Sequence, residues 1–232
     1  MKETIYTIPI NEAFDRHDGC PVCFLSGALE RASLEYVMGA AMMEPDVRIE
    51  TNRLGFCQRH LGKMLAAKNK LSLALMLESH LPELGGAVFP KQGGFSGKDK
   101  ELAKLCMASK SATSSCYVCA RAAGFMGHYY GNILYLWRKE PDFKAKFGRQ
   151  PFFCLPHYTE MLERAGHSLP KKEQAEFISM LSSICSGYLE GLCSDVSEFC
   201  KSFDYRNAGR GLSEGAQAAS ERAADFINGH YD

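Results

Sequence analysis

The amino-acid sequence predicts an all-α protein built from two similar helical units that arose by internal duplication. Three observations predict it. Apolar residues recur at intervals of three and four along most of the chain, which is the spacing of one helix face. A pattern of paired cysteine and histidine occurs twice: Cys20-Pro21-Val22-Cys23 with Cys57-Gln58-Arg59-His60, then Cys116-Tyr117-Val118-Cys119 with Cys154-Leu155-Pro156-His157. The two pairs are separated by 33 residues in the first occurrence and 34 in the second. Other residues repeat in step. Glu44-Pro45-Asp46 begins 13 residues before Cys57, Glu140-Pro141-Asp142 begins 14 before Cys154, and Phe56 and Phe153 precede the two cysteines.

These residue types at this spacing are metal ligands. A zinc-type ion takes four donors in a tetrahedron, and two donors three positions apart reach one ion without backbone strain. Read by halves, Cys20, Cys23, Cys57 and His60 form one Cys3His set, and Cys116, Cys119, Cys154 and His157 form the other. Each set is closed, with no position left for substrate, as in structural sites. Two Zn²⁺ per chain are therefore expected. Histidine as the fourth donor favours zinc over an iron–sulfur cluster, whose ligands are mostly all cysteine. Pro21 and Pro156 suit the first turn of a helix, so the ligand pairs are placed at helix N-termini, where partial positive charge stabilises thiolates. A redox dithiol and inert buried cysteines are the alternatives. Haem attachment requires a histidine directly after Cys-x-x-Cys, and Phe24 and Ala120 stand there.

Composition sets the outer bounds. The 232 residues suit one large or two small domains, and 46% hydrophobic content supplies a core. Formal net charge is zero, so nothing global favours nucleic acid or an anionic membrane. No apolar leader follows Met1, and no run is long enough to span a membrane. A cytoplasmic location, with reduced thiols, is the expectation.

The elements follow in order. Residues 1–19 are read as an arm in which Ile5, Ile8 and Ile10 pack in extended form and Pro9 prevents a helix. A helix over about 20–43 carries the stripe Leu25, Leu29, Ala32, Tyr36, Ala40, Met43. Pro45 opens a short helix through Thr51. Helices over 57–68 and 71–81 follow, the second apolar almost all round and so expected at the centre of the first core. Residues 84–98, with Gly85, Gly86, Pro90, Gly93, Gly94 and Gly97, form a linker or loop between a first unit over 1–83 and a second over 99–232. Neither a phosphate loop nor a nucleophile elbow is complete there.

The second unit opens with a basic amphipathic helix over 98–111, then a helix over 116–137 parallel to the first. A helix to about Ala165 and a long one to about Phe203 come next. The long helix uses the stripe Phe177, Leu181, Ile184, Tyr188, Leu192, Val196, Phe199, Phe203. Cys185, Cys193, Cys200 and Cys106 are read as small buried core residues. Asp204, Tyr205, Arg206 and Asn207 form a turn organised by an Asp–Arg pair, with ligand binding as the lesser reading. A final helix carries Leu212, Ala216, Ala219, Ala223 and Phe226. Basic residues Arg138, Lys139, Lys144, Lys146 and Arg149 lie near aromatics, but Glu140 and Asp142 dilute them, so a solvated helix face is expected in place of a nucleic-acid track.

Several blocks together resemble an uncharacterised bacterial DUF family, found mostly in anaerobic Gram-positive bacteria. They are Thr7-Ile8-Pro9-Ile10-Asn11-Glu12-Ala13-Phe14, Cys20-Pro21-x-Cys23, Met43-Glu44-Pro45-Asp46-Val47-Arg48, Gly55-Phe56-Cys57-x-x-His60, Phe153-Cys154-x-x-His157 and Phe203-Asp204-Tyr205-Arg206-Asn207. The resemblance runs nearly end to end. It implies a bacterial cytoplasmic protein and supplies no catalytic residues. One block departs from it: a proline-containing loop is expected after Asn207, and Gly209-Arg210-Gly211 stands there.

With two full ligand shells and no complete catalytic constellation, the sequence points to a non-enzymatic scaffold or interaction module that acts on a protein or small-molecule partner. A thiol-dependent redox sensor or enzyme using zinc-held thiolates is the alternative. A small-molecule binder using a cleft between the two units, near Tyr205 and Arg206, is the third.

Overall fold

The computed structural model describes residues 7–90, 94–204, 206 and 211–230. Ile5, Gly93, Tyr205, Asn207, Gly209 and Arg210, each given a role above, lie outside them. The fold is all-α, with no strand among the described residues. In chain order the helices are α1 (Thr7–Asp15), α2 (Pro21–Met38), α3 (Pro45–Leu54), α4 (Gln58–Ala66), α5 (Lys70–Val88), α6 (Asp99–Ser114), α7 (Tyr117–Lys139), α8 (Pro141–Gly148), α9 (Leu155–Ser168), α10 (Lys171–Ser202), α11 (Glu214–Gln217) and α12 (Ala219–Asn228). A 3₁₀ turn, Ala40–Met43, separates α2 from α3.

Prolines mark the helix starts. Pro21 opens α2, Pro45 opens α3 and Pro141 opens α8, where a missing N–H costs nothing. Asp46 and Asp142 follow in the first turn and complement the helix dipole, which explains why Glu-Pro-Asp recurs. The same physics corrects the reading of the N-terminal arm. Pro9 lies in the first turn of α1, so it does not prevent that helix.

The chain divides into two compact units. One comprises Met1–Gly27 with Met126–Asp232; the other is Ala28–Phe125. The second unit is thus inserted in the chain of the first, with its boundaries inside α2 and α7 and not in the glycine-rich stretch. Gly85 and Gly86 are helical, because α5 continues through Val88.

The discontinuous unit is built on aromatic packing. Phe14 of α1 meets Phe143 and Phe147 of α8 at centroid distances of 5.0 and 5.8 Å. Phe147 stacks on Phe153 at 4.9 Å and meets Phe177 of α10 at 5.4 Å. Trp137 packs edge-on against Phe177. Further along α10, Tyr188 stacks on Phe152 at 4.2 Å and meets Phe226 of α12. Phe177, Leu181, Cys185 and Leu192 form the buried stripe of α10. Cys193, Cys200 and Cys106 are exposed, contrary to the core role expected of them. Of the basic residues in this unit, Arg138 pairs with Glu173, Lys144 with Glu176 and Lys146 with Asp15.

The inserted unit packs Val37, Met38, Val47, Phe56, Met64, Leu73, Met76 and Val118 into one core. Here α5 buries one face only. Leu73 and Met76 point inward, while Leu71 and Leu81 are exposed. The stripe read along α2 also drifts, because Val22, Leu25, Ser33 and Val37 are buried and Tyr36 and Met43 are not. Asn69 caps α5 by accepting from the backbone N–H of Ser72, and Ser72 Oγ donates to the Met38 carbonyl at 2.7 Å. In α6, no residue is buried.

Phe147 has no exposed surface and three aromatic neighbours. Phe147→Ala is expected to destabilise the protein by about 3–5 kcal/mol, read as a lower urea midpoint. A loss below about 1 kcal/mol would remove this ring from the centre of the core.

Candidate metal centres

Each ligand pair begins at a helix start. Cys57 and Cys154 are the N-cap residues of α4 and α9, and Cys20 and Cys116 immediately precede α2 and α7. One helical turn then carries the second donor, three residues on, to the same side as the first.

All eight predicted ligands gather into two groups, but not the two groups expected. Cys20 and Cys23 meet Cys154 and His157; Cys57 and His60 meet Cys116 and Cys119. Each Cys-x-x-Cys is closed by the Cys-x-x-His of the other half of the sequence. Within each group, all donor atoms lie within 4.8 Å of one another.

Local contacts explain the crossed pairing. The backbone N–H of Tyr117 donates to the Gly55 carbonyl at 2.9 Å, and Ser115 Oγ donates to the Leu54 carbonyl at 2.7 Å. These bonds lay the residues on either side of Cys116 along the segment before Cys57. Gly55 adopts φ 58°, and a Cβ there would meet the His80 ring at 3.1 Å, so the turn requires glycine. In the other unit, buried Gln150 donates to the Phe14 carbonyl at 2.8 Å, and Cys185 Sγ donates to the Phe153 carbonyl at 3.4 Å. The first contact brings the approach to Cys154 beside α1, which leads to Cys20, and the second holds Phe153 against α10.

The first group has Nδ1 of His157 at 3.0 Å from Cys154 Sγ, 3.3 Å from Cys23 Sγ and 3.6 Å from Cys20 Sγ, with Cys23 and Cys154 sulfurs 3.5 Å apart. In the second, Nδ1 of His60 lies 3.2 Å from Cys57 Sγ, 3.2 Å from Cys116 Sγ and 3.4 Å from Cys119 Sγ, and the Cys57 and Cys119 sulfurs are 4.0 Å apart. A tetrahedron with zinc–sulfur bonds of about 2.3 Å has sulfur–sulfur edges of about 3.8 Å. Both groups therefore fit a four-coordinate ion.

Their electrostatics fit the same role. Burial pushes the Cys20 thiol up to about 12. Cys23 and Cys154 also stand at about 12, each with a hydrogen bond among the three sulfurs that lowers it and neighbouring thiols and burial that raise it further. Burial, and then the nearby Cys116, raise Cys119 to about 12. Burial also acts to raise Cys57, but the backbone N–H groups of His60 and Arg59 and hydrogen bonds from Cys116 and Cys119 outweigh it and hold this thiol below its ordinary value. Burial lowers both histidines, His157 to about 4, so each presents the neutral imidazole that ligates metals. The thiols of Cys20, Cys23 and Cys154 thus resist ionisation by themselves, as Cys119 does in the second group, and a divalent cation would reverse that balance.

One residue that the sequence reading missed supports the second group. Glu30 of α2 is 9% exposed, and its Oε1 lies 3.1 Å from Nε2 of His60. Lys63 and Arg59 pair with the same carboxylate at 2.8 and 3.0 Å. Burial opposes its charge, but Lys63 and Arg59 prevail and hold the carboxyl below its ordinary value. A carboxylate on the far nitrogen fixes the ring and raises its basicity toward a metal. The turn after α10 holds the expected ion pair, Arg206 to Asp204 at 2.6 Å, at the surface.

The crossed pairing has a direct consequence for substitution. Cys57→Ser and Cys116→Ser should each remove the same one of the two ions, and the double variant should lose no more than either. Cys20→Ser combined with Cys57→Ser should lose both. Metal content by elemental analysis of gel-filtered protein distinguishes these results from pairing within each half.

No curated protein matches this chain, and neither does any solved structure. A family model does, over residues 1–232, and the chain belongs to that family, described as a family of unknown function (DUF6062).

Proposed function

We propose that this protein is a non-enzymatic scaffold or interaction module whose two units are each closed by a structural Zn²⁺. The observation that carries this reading is the pair of complete Cys3His groups, each drawn from two distant helix starts. Four protein donors leave no open position, and open positions are what catalytic zinc requires. Zinc suits the donors because thiolate and imidazole match a borderline-soft ion and the spacing suits a tetrahedron. Cys20, Cys23, Cys154 and His157 would hold one ion and Cys57, His60, Cys116 and Cys119 the other. The ion supplies a positive centre that keeps the thiolates ionised. The helix starts that surround it contribute backbone N–H groups toward the net negative cluster.

No helix among the described residues is long and apolar enough to cross a membrane. The basic residues of α7 and α8 that have acidic partners are spent in ion pairs, which favours a protein or small-molecule partner over nucleic acid. A bacterial, cytoplasmic setting with reduced thiols completes the reading.

Elemental analysis of untagged protein purified without chelator should find about two zinc ions per chain. Stripping them with a strong chelator should lower the helical circular-dichroism signal and the melting temperature, because binding energy at such sites is folding energy, about 10–16 kcal/mol in small zinc modules. Unchanged helicity and melting after complete removal would refute the structural role.

A further inference from the structure

The two groups have the same donors in different surroundings. In the first, Cys20 is 6% exposed and Cys154 fully buried. Phe153, beside Cys154, stacks on Phe147 and lies 6.2 Å from Phe14, which ties this centre to the aromatic core. Cys23 is half-buried, and its sulfur accepts from the backbone N–H of His230 at 3.4 Å. The chain thus crosses the remaining side of the centre just after α12.

The second group is open on one edge. His60 and Cys116 are buried at 1% and 4% exposure, but Cys57 is half-buried and Cys119 is exposed. The edge between those two sulfurs, at 4.0 Å, is longer than the 3.5 Å between Cys23 and Cys154. The histidine side is the opposite case, since Glu30 holds His60 from behind.

We infer that the two centres do different work: the first retains its ion for as long as the unit is folded, and the second is an exchangeable site whose ion leaves and enters across the Cys119 edge, passed to or from a small soluble thiol or chelator. This rests on the zinc reading above. Zinc expands readily to five-coordinate, so exchange needs only a face that an incoming donor can approach. An incoming thiolate takes a position as the Cys119 thiolate gives one up, so charge and oxidation state are conserved. Glu30 keeps His60 in place, and substitution therefore proceeds through the sulfurs. Completed transfer would free the Cys57, Cys116 and Cys119 thiols, of which Cys119 and the half-buried Cys57 would be reachable from solvent only in the metal-poor state.

The test is metal release from the two-zinc protein into an excess of 4-(2-pyridylazo)resorcinol, followed by absorbance. One zinc is expected in a fast phase and one in a slow phase. Cys57→Ser should lose the fast phase alone, and Cys20→Ser the slow phase alone. Release of both ions in a single phase, or a fast phase that survives Cys57→Ser, overturns the inference and leaves the zinc reading intact. Protein that carries no metal overturns both. Should Cys20→Ser fail to fold, limited alkylation of the metal-loaded wild-type chain by iodoacetamide decides the matter. Peptide mapping should show Cys119 modified before the other five ligand cysteines; modification of Cys20 or Cys154 first, or in step with it, refutes the open edge.

Discussion

Each Cys3His group draws two donors from one helix start and two from another that lies far away in the chain. That requirement organises the structure. The helices work in two pairs, α2 with α9 and α4 with α7, and each pair must present its first turns to a point of its own, so what positions a ligand acts on the residues around those turns. In the inserted unit the work falls to Gly55, Ser115 and Tyr117. In the discontinuous unit it falls to Phe14, Gln150 and Phe153. The conformational demands on these segments are severe because a tetrahedral ion tolerates little displacement of its donors, and a donor three residues into a helix has little freedom of its own.

Charge accounts for why the two centres are built alike at the helix starts and differently behind them. Three thiolates around a divalent ion leave one net negative charge, which a helix N-terminus accommodates without a cationic side chain. Both groups would have that arrangement with an ion bound. The second adds the Glu30 carboxylate, and with it Arg59 and Lys63, so the added negative charge is met by two cations. A buried carboxylate without them would carry a desolvation penalty of several kcal/mol. The pair of basic residues is thus a consequence of fixing the His60 ring, and both are available because α4 carries them on either side of His60, one residue before it and three after.

Which cysteines and histidines gather, and where the helices begin, were legible in the sequence because both rest on local rules. Cys-x-x-Cys, Cys-x-x-His, proline in a first turn and apolar spacing all act within a few residues. The pairing was not legible. Intervals of 33 and 34 residues allow each Cys-x-x-Cys to reach either Cys-x-x-His, and the choice is made by tertiary bonds such as Tyr117 to Gly55 that no spacing reveals. Glu30 escaped notice for a related reason. It stands seven residues after Cys23, two turns along the same helix face, but a glutamate in a helix is ordinarily solvated and nothing local marks this one as buried. Cys193 and Cys200 erred the other way. Cysteine alone is a poor guide to burial: on α10, Cys185 falls on the buried stripe with Phe177, Leu181 and Leu192, whereas Cys193 and Cys200 fall beside it and are exposed. Pro9 shows that a local rule needs its position as well as its residue, since the same proline breaks a helix interior and suits a first turn.

The crossed pairing also bears on how the chain closes. The segment from Cys57 to Cys119 lies wholly inside the segment from Cys20 to His157, so the two centres are nested. Pairing within halves would have closed two shorter, independent loops. The extra cost is small, since loop entropy rises by only about 0.6 kcal/mol for each doubling of length. Nesting reduces it further. Once Cys57, His60, Cys116 and Cys119 have gathered, the inserted unit is compact and the chain left to close between Cys23 and Cys154 is effectively shorter. The inner centre has its own core of Val37, Phe56, Met64 and Met76 to hold it together before the outer one forms. The outer centre lies beside Phe153, which packs with Phe14 and Phe147. Chain entropy thus favours gathering the inner group before the outer one, because the shorter loop costs less to close.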